Sequence, residues 1–150
     1  MPQNLSPLVD LLGLKPHEGG WFKEYWRTSG STQPAGYPGP RTYATAIYFL
    51  LHPGEENPWH WVRSDELWLW QRGGPLEIHF GGHEEEAPSS VPPHVGTKLL
   101  GPWVERGESP SVLVPGGVWQ RARPVSEPVL VTCIVAPGFE FADFKFAPQT

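Results

Sequence analysis

The chain has 150 residues, 11 Lys and Arg against 16 Asp and Glu, and a formal net charge of −5. One domain of this length can bury a core, and 13% aromatic with only 18% charged residues excludes a solvated disordered chain. The 17 Gly and 19 Pro exclude a helical bundle, and the acidic balance gives nucleic acid or an anionic membrane no electrostatic footprint.

One helix is expected near the start. Ser6 caps it, Pro7 fits its first turn, Leu8, Val9, Leu11 and Leu12 form its apolar face, and Gly13 stops it. A Gly/Pro loop follows at Ser29 to Pro40. Strand-type runs come next: Tyr43 to Leu51, Pro58 to Val62, Glu66 to Gln71, Leu76 to Phe80, Ser111 to Val114, Val118 to Arg123, Val129 to Val135 and Phe139 to Phe146. The stretch Gly81 to Gly96, with Glu84-Glu85-Glu86, reads as a solvated hairpin loop. Closely spaced strands without intervening helices predict a mainly β sandwich or barrel in one domain. A helix and arm occupy about 1–40 and the barrel about 41–147. Cys133, the one cysteine, lies in the apolar run 129–135 and is expected as an inert core residue. Neither a membrane span nor a signal peptide is evident, so a cytoplasmic protein is expected.

Alternation along a strand puts His60 and Val62 on one face, and Trp59 and Trp61 on the other. In the next run Glu66, Trp68 and Trp70 align. A turn at Arg63 to Asp65 predicts a hairpin that sets His60 beside Glu66. An imidazole and a carboxylate buried together are costly unless they pair, bind a metal or meet a ligand, so this constellation is the candidate site.

The spacing of Gly54, His60, Val62, Glu66 and Gly73 resembles the first cupin motif, with Val62 at a ligand position. Pro115 to Gln120 (PGGVWQ) resembles the second, with Gln120 where a metal-binding histidine usually stands. Within the superfamily the chain is similar to a branch of unknown function sometimes labelled predicted sugar epimerase, RmlC-like. The marks are PHEGGWFKEYWR (Pro16 to Arg27), TAIYFLL (Thr45 to Leu51), WHWVRSDELW (Trp59 to Trp68), VPGGVWQ (Val114 to Gln120) and CIVAPGFEFADF (Cys133 to Phe144). The resemblance implies a double-stranded β-helix, or jelly-roll, barrel and a homodimer. Cupin metal sites typically use three His and one Glu. Only His60 and Glu66 remain here, and Leu69, Gln71 and Val118 stand where this branch often carries extra histidines. The Pro16 to Gly20 stretch is one residue shorter than usual. No metal cofactor is therefore expected; were one present, its ligands would be His60, Glu66 and Gln120.

The resemblance and the residues together point to a small polar ligand, a sugar or nucleotide sugar, in the barrel mouth. Metal-free isomerisation or epimerisation fits best. His60, oriented by Glu66, would be the base, and Gln120 would hydrogen-bond the substrate oxygen. A phenol would serve the opposite face of the substrate; Tyr25, Tyr43 and Tyr48 are candidates, and Tyr48 lies in a family motif. Trp68 is expected as a stacking wall, with Trp70 as barrel filling and Trp59 and Trp61 facing outward. His79 and His83 are spaced for a surface metal site on a strand end that does not fix the geometry, while His17, His52 and His94 border turns and are expected in solvent. Two other readings stay open: a metal-dependent oxygenase or isomerase, and a ligand-binding protein without turnover.

Overall fold

The computed structural model describes residues 4–17, 19–85 and 94–148. Helix α1 (Leu8–Leu11) begins where Ser6 Oγ accepts the Leu8 N–H at 3.2 Å, and Gly13, at φ 68°, turns the chain out of it. The strands that follow are β1 (Lys15–His17), β2 (Gly20–Arg27), β3 (Thr45–Leu51), β4 (Asn57–Val62), β5 (Asp65–Gly73), β6 (Leu76–His83), β7 (Gly96–Leu100), β8 (Ser111–Val114), β9 (Val118–Pro124), β10 (Val129–Ala136) and β11 (Phe144–Phe146). Short 3-10 turns lie at Val104–Arg106 and Phe141–Asp143.

Two antiparallel sheets face each other, ordered β1-β2-β3-β10-β5-β8 and β11-β4-β9-β6-β7. This is a jelly-roll, the mainly β double-stranded β-helix expected from the strand runs. Alternation decides what each strand contributes. Val131, Cys133 and Val135 of β10 point inward, while Thr132 points out and bonds the Tyr25 hydroxyl at 3.1 Å. One core cluster, including Leu76, Ile78, Leu100, Val112 and Val129, fills part of the barrel. A second cluster forms where Val9 and Leu14 pack on Trp21, Leu50 and Leu130 across the outer face of the first sheet.

Four expectations need correction. The N-terminal arm is not outside the barrel sheets, because β1 and β2 extend the first sheet through the β2–β3 pairing. Their sequence hides this: beyond Trp21 the side chains of β2 alternate poorly and its last residues lie exposed at the sheet surface. β7 (Gly96–Leu100) pairs with β6 just past the segment read as loop, where no strand was expected, and β6 itself runs into that segment as far as His83. From Phe139 to Phe146 only the last three residues are strand, since the chain first makes the 3-10 turn. Finally, β4 and β5 are not a hairpin. They belong to different sheets, and Arg63 and Ser64 carry the chain from one sheet to the other.

The Pro115–Gly117 turn locks that crossing. The Gly116 N–H donates to Asp65 Oδ1 at 2.7 Å and the Gly117 N–H to the Val62 carbonyl at 2.8 Å. A Cβ on Gly116 would run into the Arg63 carbonyl, and Gly117 sits at φ 82°, so the paired glycines are a steric requirement of the docking. The turn feeds β9, which carries Gln120 beneath β5. Of the acidic run, Glu84 is docked: its carbonyl accepts the Trp61 indole N–H at 3.1 Å, and its N–H bonds Gly117. Glu86 lies outside the described residues.

Candidate functional site

Between the sheets lies a cavity of about 230 Å³. Thr45, Ile47 and Phe49 of β3, Glu66 and Trp68 of β5, and Cys133 and Val135 of β10 form one wall. His60, Val62 and Asn57 of β4 form the other, so the two sheets hold His60 and Glu66 across a shared space. Phe49, Trp68 and Cys133 belong to both the cavity wall and the core cluster, which fixes their positions by packing.

Glu66 is the end of a buried polar chain. The Trp68 indole N–H donates to Gln120 Oε1 at 3.0 Å, and Gln120 Nε2 donates to Glu66 Oε1 at 2.8 Å. Burial pushes the Glu66 carboxyl up to about 7, against the opposing pull of hydrogen bonds from Gln120 and the Cys133 thiol. The thiol itself is raised well above its ordinary value by burial and by the neighbouring Glu66, so Cys133 stays protonated. Cys133 thus lines the cavity as a weak hydrogen-bond donor as well as a core residue.

His60 is oriented by backbone and not by Glu66. Its Nδ1 bonds the Pro58 carbonyl at 2.8 Å, which makes Nδ1 the protonated nitrogen and leaves Nε2 with its lone pair. Nε2 has no hydrogen-bond partner among the described residues. Burial lowers the imidazole to about 4, with a smaller push from His17 and an opposing pull from the Pro58 bond. The ring stacks on Phe144 at 5.4 Å between centroids. Asn57 also lines the cavity and carries a buried Oδ1 without a partner among the described residues.

The mouth is built by residues the sequence reading left out of the site. Arg27 spans Glu24, at 2.8 Å, and Glu140, at 3.5 Å, and donates to the Phe139 carbonyl, tying β2 to the C-terminal segment. Phe139, Phe141 and Phe144 of that segment line the opening. The buried Asp143 holds it in place, gripped by Arg41 at 2.7 and 2.9 Å and by Arg63 at 3.2 Å. The one signal in the sequence was the Phe-rich run before Phe146; nothing local marks Arg27 or Asn57 as cavity residues.

Among the predicted site residues, His60, Glu66 and Trp68 line the cavity and Gln120 lies behind it as the link between the last two. Tyr48 does not belong to the site. It is on the opposite face of β3 from Ile47 and Phe49, packed against the cluster beneath α1 and stacked on Tyr25 at 4.0 Å. Tyr25 bonds Thr132 on that outer face and Tyr43 is exposed, so none of the three candidate phenols reaches the cavity.

Other histidines are also placed differently. His52 is buried, accepting the Ser6 N–H at Nε2 and bonding Glu55 through Nδ1, so it anchors the N-terminal segment. His17 lines the cavity. His79 engages Glu77 and Arg121 with its two nitrogens, which leaves none for a metal shared with His83. Trp61 does lie on the outer face of β4, but it is 1% exposed, covered by the Glu84 segment and Arg63.

The residues do not fit a cupin metal ion. Val62 offers no donor. The Gln120 carbonyl is taken by Trp68 and its amide nitrogen by Glu66, so Gln120 cannot turn a lone pair to the cavity without orphaning a buried indole N–H. Among the described residues no three His, Cys, Asp or Glu side chains gather in a metal-holding group. No described helix is long and apolar enough to cross a membrane.

Residues 6–147 match the family described as Cupin superfamily (DUF985). No curated protein matches the chain. A hypothetical protein from Leishmania major is 32% identical with a TM-score of 0.79, the match covering 92% of this chain and 84% of that one. A protein from Shewanella oneidensis is 31% identical with a TM-score of 0.79, covering 97% and 85%. An uncharacterized conserved protein with a double-stranded β-helix domain from Klebsiella pneumoniae, 18% identical with a TM-score of 0.56 over 99% and 100% of the two chains, shares the fold. With a family match over nearly its whole length and the same jelly-roll in these relatives, the chain belongs to the DUF985 family of the cupin superfamily.

Proposed function

We propose that the cavity is a metal-independent small-molecule site in which Glu66 carries a proton, making the protein an isomerase of the proton-shift type. The observation that supports this is the Trp68–Gln120–Glu66 chain, which presents a buried carboxyl at the cavity opposite His60. A carboxyl held near 7 has both forms populated at neutral pH and can take a proton from carbon and return it. His60, lowered to about 4, is a weak base; its Nε2 is a fixed acceptor that positions a ligand N–H or O–H. The roles are therefore the reverse of those the sequence suggested.

In the proposed step the Glu66 carboxylate takes a proton from the carbon beside a carbonyl or imine. The bonding pair moves into the new C=C bond, and the C=O or C=N pair moves to the heteroatom. The pair on the heteroatom then re-forms the C=O or C=N bond as the same carboxyl returns the proton, to the original carbon or, where the substrate carries a C=C bond next to that carbon, to the far end of the conjugated dienolate. With no tyrosine lining the cavity among the described residues, the phenol expected to serve the opposite face of the substrate is missing. That favours a shift along one face of the substrate over epimerisation, which needs delivery from the opposite face.

Size and polarity restrict the ligand. A cavity of about 230 Å³ suits on the order of ten non-hydrogen atoms, by comparison with the ~150 Å³ that holds benzene. A nucleotide sugar is several times larger. Among the described residues its diphosphate would meet one guanidinium, that of Arg27, which is already engaged by Glu24.

Deuterium exchange at the acidic C–H of acetophenone in D2O, followed by NMR, tests the chemistry. Native protein should accelerate exchange, Glu66→Gln should abolish the acceleration, and His60→Ala should weaken it. Acceleration that survives Glu66→Gln, or that appears only with added divalent metal, would overturn the proposal.

A further inference from the structure

The walls of the cavity carry hydrogen-bond acceptors and π faces in excess of donors and positive charge. Six aromatic side chains surround it: Phe22, Phe49, Trp68, Phe139, Phe141 and Phe144. Three carboxyl groups line it, Glu24 and Glu140 at the mouth and Glu66 within, against the single guanidinium of Arg27. That guanidinium donates through two nitrogens to Glu24 and through one of them also to the Phe139 carbonyl, so its charge is spent inside the protein. His17 also lines the cavity, near the Phe22 and Phe144 rings.

Two acceptor atoms of the cavity wall have no donor among the described residues. His60 is 5% exposed, and its Nε2 lone pair has no donor among the described residues, because Nδ1 is committed to the Pro58 carbonyl. Asn57 is 6% exposed, and its Oδ1 is buried and unpaired. Asn57 Oδ1 is costly to leave buried and unpaired, and His60 lines the cavity with an acceptor nitrogen, so a ligand that donates to these atoms gains hydrogen bonds there. Aromatic faces around a desolvated site attract positive charge and repel anions.

We infer that this cavity is built for a small organic cation that carries N–H donors, a protonated amine with a compact apolar body, and not for a sugar phosphate or another anion. The amine head donates to His60 Nε2 and Glu66, and the body lies among the phenylalanines and Trp68. Carboxylates at the mouth draw the cation in, and an anion meets their repulsion without a free guanidinium to offset it. The inference rests on the reading of this cavity as a ligand site and names the charge class of its occupant.

Three probes of similar size separate the possibilities: benzylamine, benzyl alcohol and benzoate, titrated calorimetrically into the whole protein at pH 7.5. Benzylamine should bind at least about tenfold more tightly than benzyl alcohol, and benzoate should bind least, as expected when a desolvated cation meets aromatic faces and a carboxylate. Glu66→Gln, nearly isosteric, should bring the amine down to the affinity of the alcohol, with a smaller change in the alcohol itself. Because a core variant can fail to fold, Glu24→Gln with Glu140→Gln, both at the mouth, should independently weaken the amine severalfold and flatten its salt dependence. Alcohol or benzoate binding as tightly as the amine would overturn the cation inference. If that binding were still lost in His60→Ala, the cavity would stand as a ligand site and only the charge class would fall. Absence of binding by all three would overturn both.

Discussion

Gln120 Nε2 lies 2.8 Å from Glu66 Oε1, and the end of the amide that faces the carboxyl is dictated from behind. The Trp68 indole N–H can only donate, so the Gln120 oxygen must face it at 3.0 Å and the amide nitrogen must face Glu66. One buried indole thereby sets the environment of the proposed proton carrier. Gln120→Leu removes both partners at once. It should cost on the order of 1–3 kcal/mol in urea unfolding, because the Trp68 N–H is left buried and unpaired. It should also move the Glu66 titration above about 7, since the Gln120 bond holds it down. Carboxyl NMR across pH 5 to 9 reads this; an unmoved or lowered titration would contradict the chain.

The two buried titrations oppose each other in stability. Glu66 ionises near 4.5 in an unfolded chain and about 7 in the folded one. The stability it lends is full below 4.5 and is lost as pH rises through 7. His60 goes from 6.5 unfolded to about 4 folded, so its contribution is present above 6.5 and lost as pH falls through 4. Between 4.5 and 6.5 the two slopes largely cancel. Glu66→Gln removes only the first, so its stability relative to the native protein should rise by roughly 3 kcal/mol from pH 4.5 to 7. His60→Asn should fall relative to native by a similar amount from pH 4 to 6.5. Unfolding curves at half-unit pH intervals check both, and differences that stay flat with pH would refute the burial argument.

The fold was legible because strand alternation is a local property. Glu66, Trp68 and Trp70 share a face by counting in twos, and Trp68 indeed joins Glu66 at the cavity. Tyr48 comes from a family motif, and counting in twos could not have placed it, for a physical reason. α1 covers the outer side of β3, so both faces of that strand are buried and apolar, and no polar row marks which face looks inward. Motif spacing brought His60, Glu66 and Gln120 into one proposal. It could not tell that Gln120 would be consumed by Trp68, since that bond joins residues 52 positions apart across two sheets. The Arg63 to Asp65 segment had the length of a hairpin turn, yet the docking of Gly116 and Gly117 makes it a crossing between sheets.

Three aromatic substitutions separate wall from support. Trp68→Ala should weaken benzylamine or benzyl alcohol binding by more than about tenfold, because it removes a cavity wall and the Gln120 donor together. Trp61→Ala empties a buried site on the outer face of β4 and should cost about 3–5 kcal/mol of stability with a smaller effect on binding. Tyr48→Phe should leave binding unchanged. Calorimetry on the three variants, beside their unfolding curves, settles the face assignment; a loss confined to Tyr48→Phe would reverse it.

The mouth depends on an ion pair whose two members are far apart in sequence. Arg41 and Asp143 are 102 residues apart, both nearly inaccessible, and joined by two short hydrogen bonds, with Arg63 as a third member. Asp143 ends the 3-10 turn that carries Phe141 and precedes Phe144, so the pair holds the aromatic edge of the cavity in place. Arg41→Met leaves Asp143 buried with only the more exposed Arg63 and should cost about 3–5 kcal/mol. The double variant Arg41→Met with Asp143→Leu removes the stranded charge. It should recover a large part of that loss, because the desolvation cost of the carboxylate disappears with it. Ligand affinity should not recover in parallel: Arg63 loses its partner and the segment bearing Phe141 and Phe144 loses its anchor. Urea unfolding and benzylamine calorimetry on the single and double variants distinguish these outcomes. Affinity that returns with stability would mean that the pair supports the fold alone and has no separate hold on the mouth.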